Sequence, residues 1–239
     1  MKALILAAGL GTRLYPFTSD KPKALVELDG VTLLERAIRK VCELKVSEIV
    51  VNIHHFGEQV IRFLDEHNNF NLPVHISDER EQLLDTGGAI LHAHQLLGDD
   101  EAFLVYNVDV LNSIDLSLFA NYHKKKNGIA TLAVRERTTE RYLLFNQEMQ
   151  LSGWKNKKTG EEKLIRDEKG YLEFAFSGIQ IIEPGIFPLI TESGKFSVIQ
   201  MYLRLAQNHP VYGYHDTSTY WMDLGKPDQL AEARKIVDM

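Results

Sequence analysis

Cysteine is nearly absent from this chain, which has one, Cys42, among 239 residues. A single cysteine cannot form an intramolecular disulfide or a site built from several thiolates, and this usage fits a reducing compartment. Long apolar runs are also missing, because no stretch approaches the ~20 apolar residues of a membrane span. The apolar run that follows Met1 is too short for a secretion signal and meets Thr12 and Arg13 at once. We therefore expect a cytoplasmic location.

An excess of basic residues is lacking too, since the formal net charge is −6, with 27 Lys and Arg against 33 Asp and Glu. A nucleic acid or an anionic membrane would require a basic face, so neither partner is expected. The N-terminal segment departs from this acidic balance. Residues 1 to 26 have a local charge of +3, from Lys2, Arg13, Lys21 and Lys23 against Asp20. An anionic ligand would have to be bound there.

Short β-rich apolar runs alternate with helical patterns through the first half of the chain. Runs such as KALILAA, EIVVNI and AFLVYN are separated by helical spacing over residues 32 to 44, 57 to 67, 87 to 97 and 116 to 126. This alternation predicts an α/β fold, a Rossmann-like three-layer α/β/α sandwich around a mixed, mostly parallel sheet. With 44% hydrophobic residues and no flexible linker, residues 1–239 are predicted to form one domain.

The pattern changes after residue 140. RYLLFNQEMQLSGW predicts a hairpin that turns near residues 146 to 148, and the charged stretch over residues 155 to 170 predicts an exposed loop or a second hairpin. The buried strand FSGIQII and helical patterns over residues 197 to 207 and 227 to 237 follow. We interpret the hairpin as an insertion on the substrate-facing side rather than as a separate domain.

Residues 6 to 25, LAAGLGTRLYPFTSDKPKAL, form a glycine-containing loop directly behind the first predicted strand. Ligands of open α/β sheets bind beyond the carboxyl ends of the strands. Gly9 and Gly11 let the backbone approach a ligand closely or adopt a positive φ, and successive N–H groups there can bind an anion. Arg13 and Lys23 can converge on several phosphates. On these residues alone, a surface loop with solvated charges is an equal alternative.

Two other phosphate-binding motifs are excluded. A dinucleotide fingerprint needs a third glycine and an acidic residue near the end of the second strand, where this chain has Leu14 and Asn52. A P-loop needs Gly-Lys-Ser/Thr after four spacer residues, and the stretch does not contain it. A nicotinamide-dependent oxidoreductase is therefore disfavoured.

The same stretch closely resembles the signature L-x-x-G-x-G-T-R-L-x-P-x-T-x-x-x-P-K-x-L of the sugar-1-phosphate nucleotidylyltransferases, and the resemblance extends along the whole chain. It implies transfer of a nucleotidyl group from a nucleoside triphosphate to a sugar 1-phosphate, with release of pyrophosphate. It implies a nucleotide-binding half over residues 1–140 and a sugar-phosphate-binding half over residues 141–239. Catalytic roles are implied for Arg13 and Lys23. The implied nucleotide-binding residues are Ala8, Gly9, Gly11, Thr12, Arg13, Lys23, Gln82, Gly87 and Asn107.

Two further segments imply a magnesium site. LVYNVDV resembles a second signature of the family, which implies that Asp109, at the end of a buried strand, binds Mg²⁺. YWMDLGKPDQLAEA resembles a third signature, which implies Asp223 as the second metal carboxylate. Mg²⁺ prefers oxygen ligands and is commonly bound by one or two carboxylates plus substrate phosphates. A cofactor of this kind is therefore expected.

The base and the sugar are the parts of the substrate that the sequence leaves open. EQLLDTGGAI resembles the base-reading loop, which implies that Gln82 and Gly87 lie near the base. Many relatives have glycine in place of Asp85, whose carboxylate either meets a nearby group or, as we favour, caps the next helix. WKNKKTG stands where the family often has a Glu-Lys pair, and FSGIQII resembles the segment that faces the sugar phosphate. The implied sugar-phosphate-binding residues are Asn107, Asn156, Lys157, Ser177 and Gly178.

The segments LLDTGGAI, FSGI and WMDLG together most resemble the N-acetylmuramate-1-phosphate uridylyltransferases of cell-wall recycling. Mannose- or heptose-1-phosphate guanylyltransferases resemble the chain nearly as well, and thymidylyl or cytidylyl transfer is a lesser alternative. A non-catalytic sensor of nucleotide sugars is the alternative from another class, since a fold does not imply a function. The joint presence of Lys23, Asp109 and Asp223 speaks against a sensor.

Overall fold

The structure is a computed structural model that describes residues 1–167 and 170–237. Its strands are β1 (Ala3–Leu6), β2 (Glu27–Leu28), β3 (Val31–Thr32), β4 (Ile49–Ile53), β5 (Val74–Asp78), β6 (Phe103–Asn107), β7 (Val110–Asn112), β8 (Ala130–Arg135), β9 (Arg141–Phe145), β10 (Leu151–Asn156), β11 (Glu162–Leu164), β12 (Leu172–Ile182), β13 (Val211–His215) and β14 (Trp221–Asp223). Its α-helices are α1 (Leu33–Cys42), α2 (Gly57–Glu66), α3 (Asp85–His92), α4 (His94–Leu97), α5 (Leu116–Lys126), α6 (Val198–Leu205) and α7 (Pro227–Val237). Within these described residues, no helix has the length and the hydropathy needed to cross a membrane.

One large sheet runs through the molecule, with β1 near its centre. β1 is parallel to β4 on one side and to β6 on the other, and β5 extends the parallel part beside β4. β12 pairs antiparallel with both β6 and β8, and β13 pairs parallel with β8. Of these seven strands, six point the same way and β12 runs against them. The sheet is therefore mixed and mostly parallel, and the carboxyl ends of its parallel strands meet at one edge.

Strand β1 shows why helices cover both faces of the sheet. Successive side chains of a strand point to opposite faces, and here Ala3 and Ile5 join one buried cluster while Leu4 joins another. The first cluster includes side chains from α1, α2, α5 and α7, and the second includes side chains from α3, α4 and α6. The predicted three-layer α/β/α sandwich is confirmed.

The hairpins after residue 140 extend the central sheet. β9 and β10 pair antiparallel around the predicted turn, and β11 adds a second hairpin on the charged stretch. Residues 168 and 169 of that stretch lie outside the described residues. β9 also pairs with β12, so the hairpins join the sheet through the strand that runs against its neighbours.

Two consecutive glycines let α3 dock closely against a later loop. The N–H of Gly87 donates to the carbonyl oxygen of Phe196 at 3.0 Å, and the N–H of Phe196 donates to the carbonyl oxygen of Leu84 at 3.1 Å. A Cβ on Gly88 would overlap the carbonyl oxygen of Gly194 and lie 2.9 Å from Cβ of Leu84. The contact therefore requires glycine at position 88.

We expect Gly88→Ala to lower the free energy of unfolding by about 1–3 kcal/mol, because the added methyl group meets backbone that cannot rotate away. Gly185→Ala is the matched control, since a Cβ there meets no atom within 4 Å. Equilibrium unfolding in urea measures both variants. Equal unfolding midpoints for the two variants would contradict the close contact.

Candidate functional site

A cavity of about 380 Å³ opens at the carboxyl edge of β1, β4 and β6. The predicted site residues that line it are Ala8, Gly9, Arg13, Lys23, Asn107 and Asp109. Asp85 lines it too, and the lining residues that the sequence did not place in a ligand site include Asn52, Glu79, Leu83, Thr86 and Lys195. The predicted residues that lie outside the lining are Gly11, Thr12, Gln82, Gly87, Asn156, Lys157, Ser177, Gly178 and Asp223.

Gly11 shapes the loop that carries the predicted phosphate-binding residues. Its φ is +66°, and a Cβ there would lie 2.9 Å from Cγ2 of Thr18 and 3.0 Å from Cβ of Lys23. The hydroxyl of Thr18 donates to the carbonyl oxygen of Gly11 at 2.9 Å. Thr12 follows in a short 3-10 helix, Thr12–Leu14, and faces a neighbouring surface cavity. Gly11 thus acts through the backbone turn, because it lets Lys23 pack against the loop.

Lys23 forms an ion pair with Asp109 at the carboxyl edge of the sheet. Lys23 is 7% exposed. Lysine is almost never buried without a partner, and Asp109 is that partner here. Asp109 lies between β6 and β7, so its position is set by two strands. The structure therefore brings the predicted catalytic lysine to one of the two predicted metal carboxylates.

The short pairing of β7 with β14 brings Asp223 beside Asp109. In this antiparallel pair Asp223 stands opposite Val110, and the N–H of Leu224 donates to the carbonyl oxygen of Asp109 at 2.8 Å. A Cβ on Gly225 would lie 2.7 Å from Oδ1 of Asp223 and 3.0 Å from Nη2 of Arg13, so both side chains reach this point. Residues more than a hundred positions apart in sequence thus share one edge.

One oxygen of the Asp223 carboxylate has no hydrogen-bond donor among the described residues. This oxygen, Oδ1, is buried. Burial, and then the negative charge of Asp109, raise the pKa of Asp223 above its ordinary value, while Lys23, Arg13 and Arg137 act in the opposite direction. A buried oxygen without a donor, next to a second carboxylate, is suited to a bound cation.

The donor set fits Mg²⁺ better than a fully protein-bound metal. The described residues contain no group of three or more His, Cys, Asp or Glu side chains that could hold a metal ion. Asp109 and Asp223 would therefore supply two oxygen ligands, and water or substrate oxygens would complete the shell. This matches the way Mg²⁺ is usually bound.

A buried amide and a buried carboxylate fix the first loop to the base-reading loop. Oδ1 of Asn52 accepts from the N–H groups of Ala7 at 2.5 Å and Ala8 at 3.1 Å. Nδ2 of Asn52 donates to Oε1 of Glu79 at 2.7 Å, and Oε2 of Glu79 accepts from the N–H of Leu84 at 3.1 Å. We refer to these contacts as the Asn52–Glu79 bridge. It occupies the N–H of Ala8, which the sequence predicts to bind nucleotide.

The base-reading loop differs from its predicted arrangement. Gln82 is exposed, and the next residue, Leu83, lines the cavity. Asp85 has a φ of +60°, and its carboxylate accepts from the N–H of the adjacent Thr86 at 2.6 Å. An N-cap accepts from a residue two or three positions on, and α3 has no such side-chain cap. Asp85 therefore does not form the expected N-cap, and it lines the cavity instead.

The predicted sugar-phosphate residues on β12 lie next to the site. Gly178 has a φ of +77°, and a Cβ there would lie 2.9 Å from Nδ2 of Asn107, so the cavity residue Asn107 packs directly on this glycine. The carbonyl oxygen of Ser177 accepts from Nε1 of Trp221 at 2.9 Å. The hydroxyl oxygen of Ser177 is buried and has no partner among the residues that the structure describes. Backbone and side-chain groups here lie between the cavity and β14.

Asn156 and Lys157 lie further out, on the hairpin. Oδ1 of Asn156 accepts from the N–H of Lys158 at 2.9 Å and of Thr159 at 3.3 Å, which orders the turn before β11. Nζ of Lys157 lies 3.1 Å from Oε2 of Glu173 and 4.3 Å from the ring centroid of Tyr142. The structure gives Asn156 a turn-forming role, and Lys157 remains a predicted binding residue.

Asparagine substitutions of Asp109 and Asp223 should affect the free energy of unfolding differently. In EDTA, we expect Asp223→Asn to hold or raise the free energy of unfolding near pH 7, because it removes a buried negative charge. We expect Asp109→Asn to lower it by about 1–3 kcal/mol, because Lys23 loses its charged partner.

The pH dependence checks the assignment of Asp223. A carboxyl whose pKa is raised by folding binds its proton more tightly in the folded state, so the unfolding free energy falls as pH rises through that pKa. Asp223→Asn should remove this fall. Urea unfolding from about pH 4 to about pH 7, which covers the range upward from the ordinary carboxyl pKa, measures it. An unchanged pH profile would contradict the burial of a charged Asp223.

The Asn52–Glu79 bridge can be tested on its own. Glu79→Gln leaves one oxygen for two donors, so we expect a loss of about 1–3 kcal/mol in unfolding free energy. Glu81→Gln is the matched control, because Glu81 is exposed on the same loop. Urea unfolding of both variants gives the difference, and equal losses would show that the bridge contributes nothing specific.

Comparison with known proteins agrees with this geometry. A family model described as "Nucleotidyl transferase" matches residues 2–238. An N-acetylmuramate alpha-1-phosphate uridylyltransferase from Caulobacter vibrioides is 32% identical over 245 residues, which cover 97% of this chain and 96% of the relative. A mannose-1-phosphate guanyltransferase from Yarrowia lipolytica is 30% identical over 233 residues, which cover 95% of this chain and 61% of the relative.

Solved structures show the same fold at lower identity. HddC from Yersinia pseudotuberculosis superposes with a TM-score of 0.79 at 23% identity, covering 99% of both chains. A UDP-glucose pyrophosphorylase complexed with UDP-glucose superposes with a TM-score of 0.80 at 17% identity, covering 99% of this chain and 98% of that one. The family match and the close relatives confirm the resemblance carried by the signature: the chain belongs to the nucleotidyl transferase family and is a sugar-1-phosphate nucleotidyltransferase.

Proposed function

We propose that the chain transfers the uridylyl group of UTP to N-acetylmuramate 1-phosphate in a Mg²⁺-dependent reaction that gives a nucleotide sugar and pyrophosphate. The convergence of Lys23, Asp109 and Asp223 with Arg13 at one edge of the sheet carries the chemistry. The Caulobacter relative supports the substrate pair, because the match covers nearly the whole of both chains.

The reaction needs positioning and charge neutralisation rather than a general base. A sugar 1-phosphate has a second pKa of about 6, so its oxygen is mostly ionised at neutral pH. That oxygen attacks the α-phosphorus of the triphosphate, and pyrophosphate leaves on the opposite side. Arg13 and Lys23 would neutralise charge at the reacting phosphates. Asp109 and Asp223 would hold Mg²⁺, which when bound stabilises negative charge on phosphoryl oxygens.

Lys195 is a further cation at the cavity, and no sequence motif predicts it there. It lines the cavity and is exposed, and the next residue, Phe196, is hydrogen-bonded to α3 and the loop before it. No carboxylate of the described residues lies within ion-pair distance of Lys195. A lysine without a protein partner at the rim of the cavity supports binding of a polyphosphate.

The second candidate reaction is guanylyl transfer from GTP to mannose 1-phosphate or heptose 1-phosphate. The Yarrowia guanyltransferase favours it, although the chain spans about three fifths of that relative. Purine and pyrimidine edges differ in their donors and acceptors, and a buried unpaired group costs about 1–3 kcal/mol. The cavity end formed by Leu83 and Asp85 is where this difference would be expressed.

A cytoplasmic location belongs to the same proposal, supported by the single cysteine. The sensor alternative differs in one respect, since a sensor would bind ligands without turnover. The two cationic and two acidic side chains at the reacting phosphates favour catalysis over a sensor.

Turnover with a substrate matrix tests the reaction. We expect Mg²⁺-dependent pyrophosphate release, highest for UTP with N-acetylmuramate 1-phosphate, when five nucleoside triphosphates are combined with a panel of sugar 1-phosphates. Asp109→Asn and Asp223→Asn should each lower turnover by about a hundredfold or more, through loss of metal stabilisation. Asp65→Asn, on the exposed surface of α2, is the control.

The outcomes separate the alternatives. Pyrophosphate release that is unchanged in both site variants would remove the metal assignment. A preference for GTP with a neutral sugar 1-phosphate would replace the proposed substrate pair with the second candidate. Ligand-dependent thermal stabilisation without pyrophosphate release for any pair would identify a sensor.

A further inference from the structure

Arg137 occupies a position that the proposed phosphate chemistry does not use. It follows β8, and its guanidinium carbon lies 4.2 Å from the ring centroid of Trp221. Its Nη2 donates to the carbonyl oxygen of Phe176 at 3.1 Å. Its Nε atom is shielded from water and has no hydrogen-bond partner among the described residues. Its Nη1 has no hydrogen-bond partner among the described residues and is not shielded in this way, so this guanidinium, stacked on an aromatic ring, retains a donor suited to binding a planar anion.

Arg135 has a carboxylate partner among the described residues, whereas Arg137 does not. Nη1 of Arg135 lies 3.4 Å from Oδ2 of Asp216, and its Nη2 donates to the carbonyl oxygen of Ser218 at 3.1 Å. No carboxylate in the described part of the chain lies within ion-pair distance of Arg137. Burial lowers the pKa of Arg137 from its ordinary value, and the charge of Asp223 acts against this. Arg137 is thus a desolvated cation without a direct anionic partner.

The neighbours of Arg137 belong to the half of the chain that is predicted to bind the sugar phosphate. Trp221 and Asp223 are two residues apart on β14, so they face the same side about 7 Å apart. Arg137 stacks on Trp221 and donates to Phe176, which precedes the predicted sugar-phosphate residue Ser177. The indole of Trp221 is also fixed by its hydrogen bond to Ser177, one of the predicted sugar-phosphate residues.

Further positive charge lies on the same side of the hairpin. The hydroxyl of Tyr142 donates to the carbonyl oxygen of Arg137 at 3.3 Å, and Nζ of Lys157 lies over the Tyr142 ring. Lys155 and Lys157 share one carboxylate, Glu173. Glu173 offsets one of the two lysine charges, so one lysine charge beside Tyr142 is left without a carboxylate of its own among the described residues.

We propose that Arg137, stacked on Trp221, binds a carboxylate carried by the sugar 1-phosphate and thereby selects an acidic sugar over a neutral one. This inference rests on the proposed function and adds a specificity-determining residue to it. Charge-assisted hydrogen bonds between guanidinium and carboxylate are roughly twice as strong as those between neutral groups.

Two substrates that differ by one acidic group provide the test. N-acetylmuramate 1-phosphate and N-acetylglucosamine 1-phosphate share the ring, the acetamido group and the phosphate, and the first has an added lactyl carboxylate. We expect Arg137→Gln to lower kcat/KM for the acidic substrate by about ten- to hundredfold, the range for a hydrogen bond to a charged group, and to leave that for the neutral one within about twofold. Arg137→Lys should recover part of the loss, and Arg141→Gln, on the exposed start of β9, is the control.

Equal losses on both substrates would assign Arg137 to the phosphate or the metal site and overturn the proposal. Wild-type enzyme that uses the neutral sugar as well as the acidic one would also overturn it, while leaving nucleotidyl transfer intact.

Isothermal titration of each sugar 1-phosphate into wild type and Arg137→Gln gives a readout without turnover. A binding loss confined to the acidic sugar supports the proposal, and equal binding by the two proteins contradicts it. Absence of pyrophosphate release by wild type with every pair would reject the proposed function instead.

Discussion

Two carboxylates from distant parts of the chain, Asp109 and Asp223, share one edge of the sheet, and the rest of the site is arranged around their charge. The β7–β14 pairing holds them together, through the hydrogen bond from the Leu224 N–H to the Asp109 carbonyl oxygen. Lys23 offsets one of the two charges, and one oxygen of Asp223 is left without a donor. Like charges at close range are unfavourable unless a cation lies between them. The folded chain therefore leaves a negative charge here that a bound cation would offset.

The Asn52–Glu79 bridge occupies two backbone N–H groups of the first loop. In many phosphate-binding loops, the first N–H groups behind the strand point at the ligand. Here the N–H groups of Ala7 and Ala8 donate to Asn52, so they are not available to an anion. Under the proposed function, Arg13 and Lys23 would supply the positive charge that these two N–H groups do not. The bridge also ties this loop to the loop before α3, at Leu84.

The sequence predicts the layers and the phosphate-binding residues because these depend on local patterns. Solid apolar runs identify the parallel strands, and a long signature identifies Arg13 and Lys23. Glu79 could not be found in this way, because its partners lie 27 positions before it and 5 positions after it and become visible once β4 and β5 are paired. Lys195 lies on a loop with no motif, and its place follows from the docking of α3. The expected cap at Asp85 rests on residue type, and residue type does not predict the positive φ that Asp85 adopts.

The proposed phosphate-binding residues and the proposed specificity residues differ in how they are held. Arg13, Lys23 and Asp109 follow the central strands β1 and β6, and Lys23 and Asp109 form a partly buried ion pair, so under the proposed function a change there would disturb chemistry common to every sugar 1-phosphate. Arg137 and Asp85 also follow strands, but neither belongs to an ion pair among the described residues, so a substitution there would alter fewer contacts. Aspartate adopts a left-handed backbone less readily than glycine does. Backbone strain of this kind clusters at functional sites. The strain at Asp85 and the burial of Arg137 therefore favour a role in substrate selection over a role in stabilising the fold.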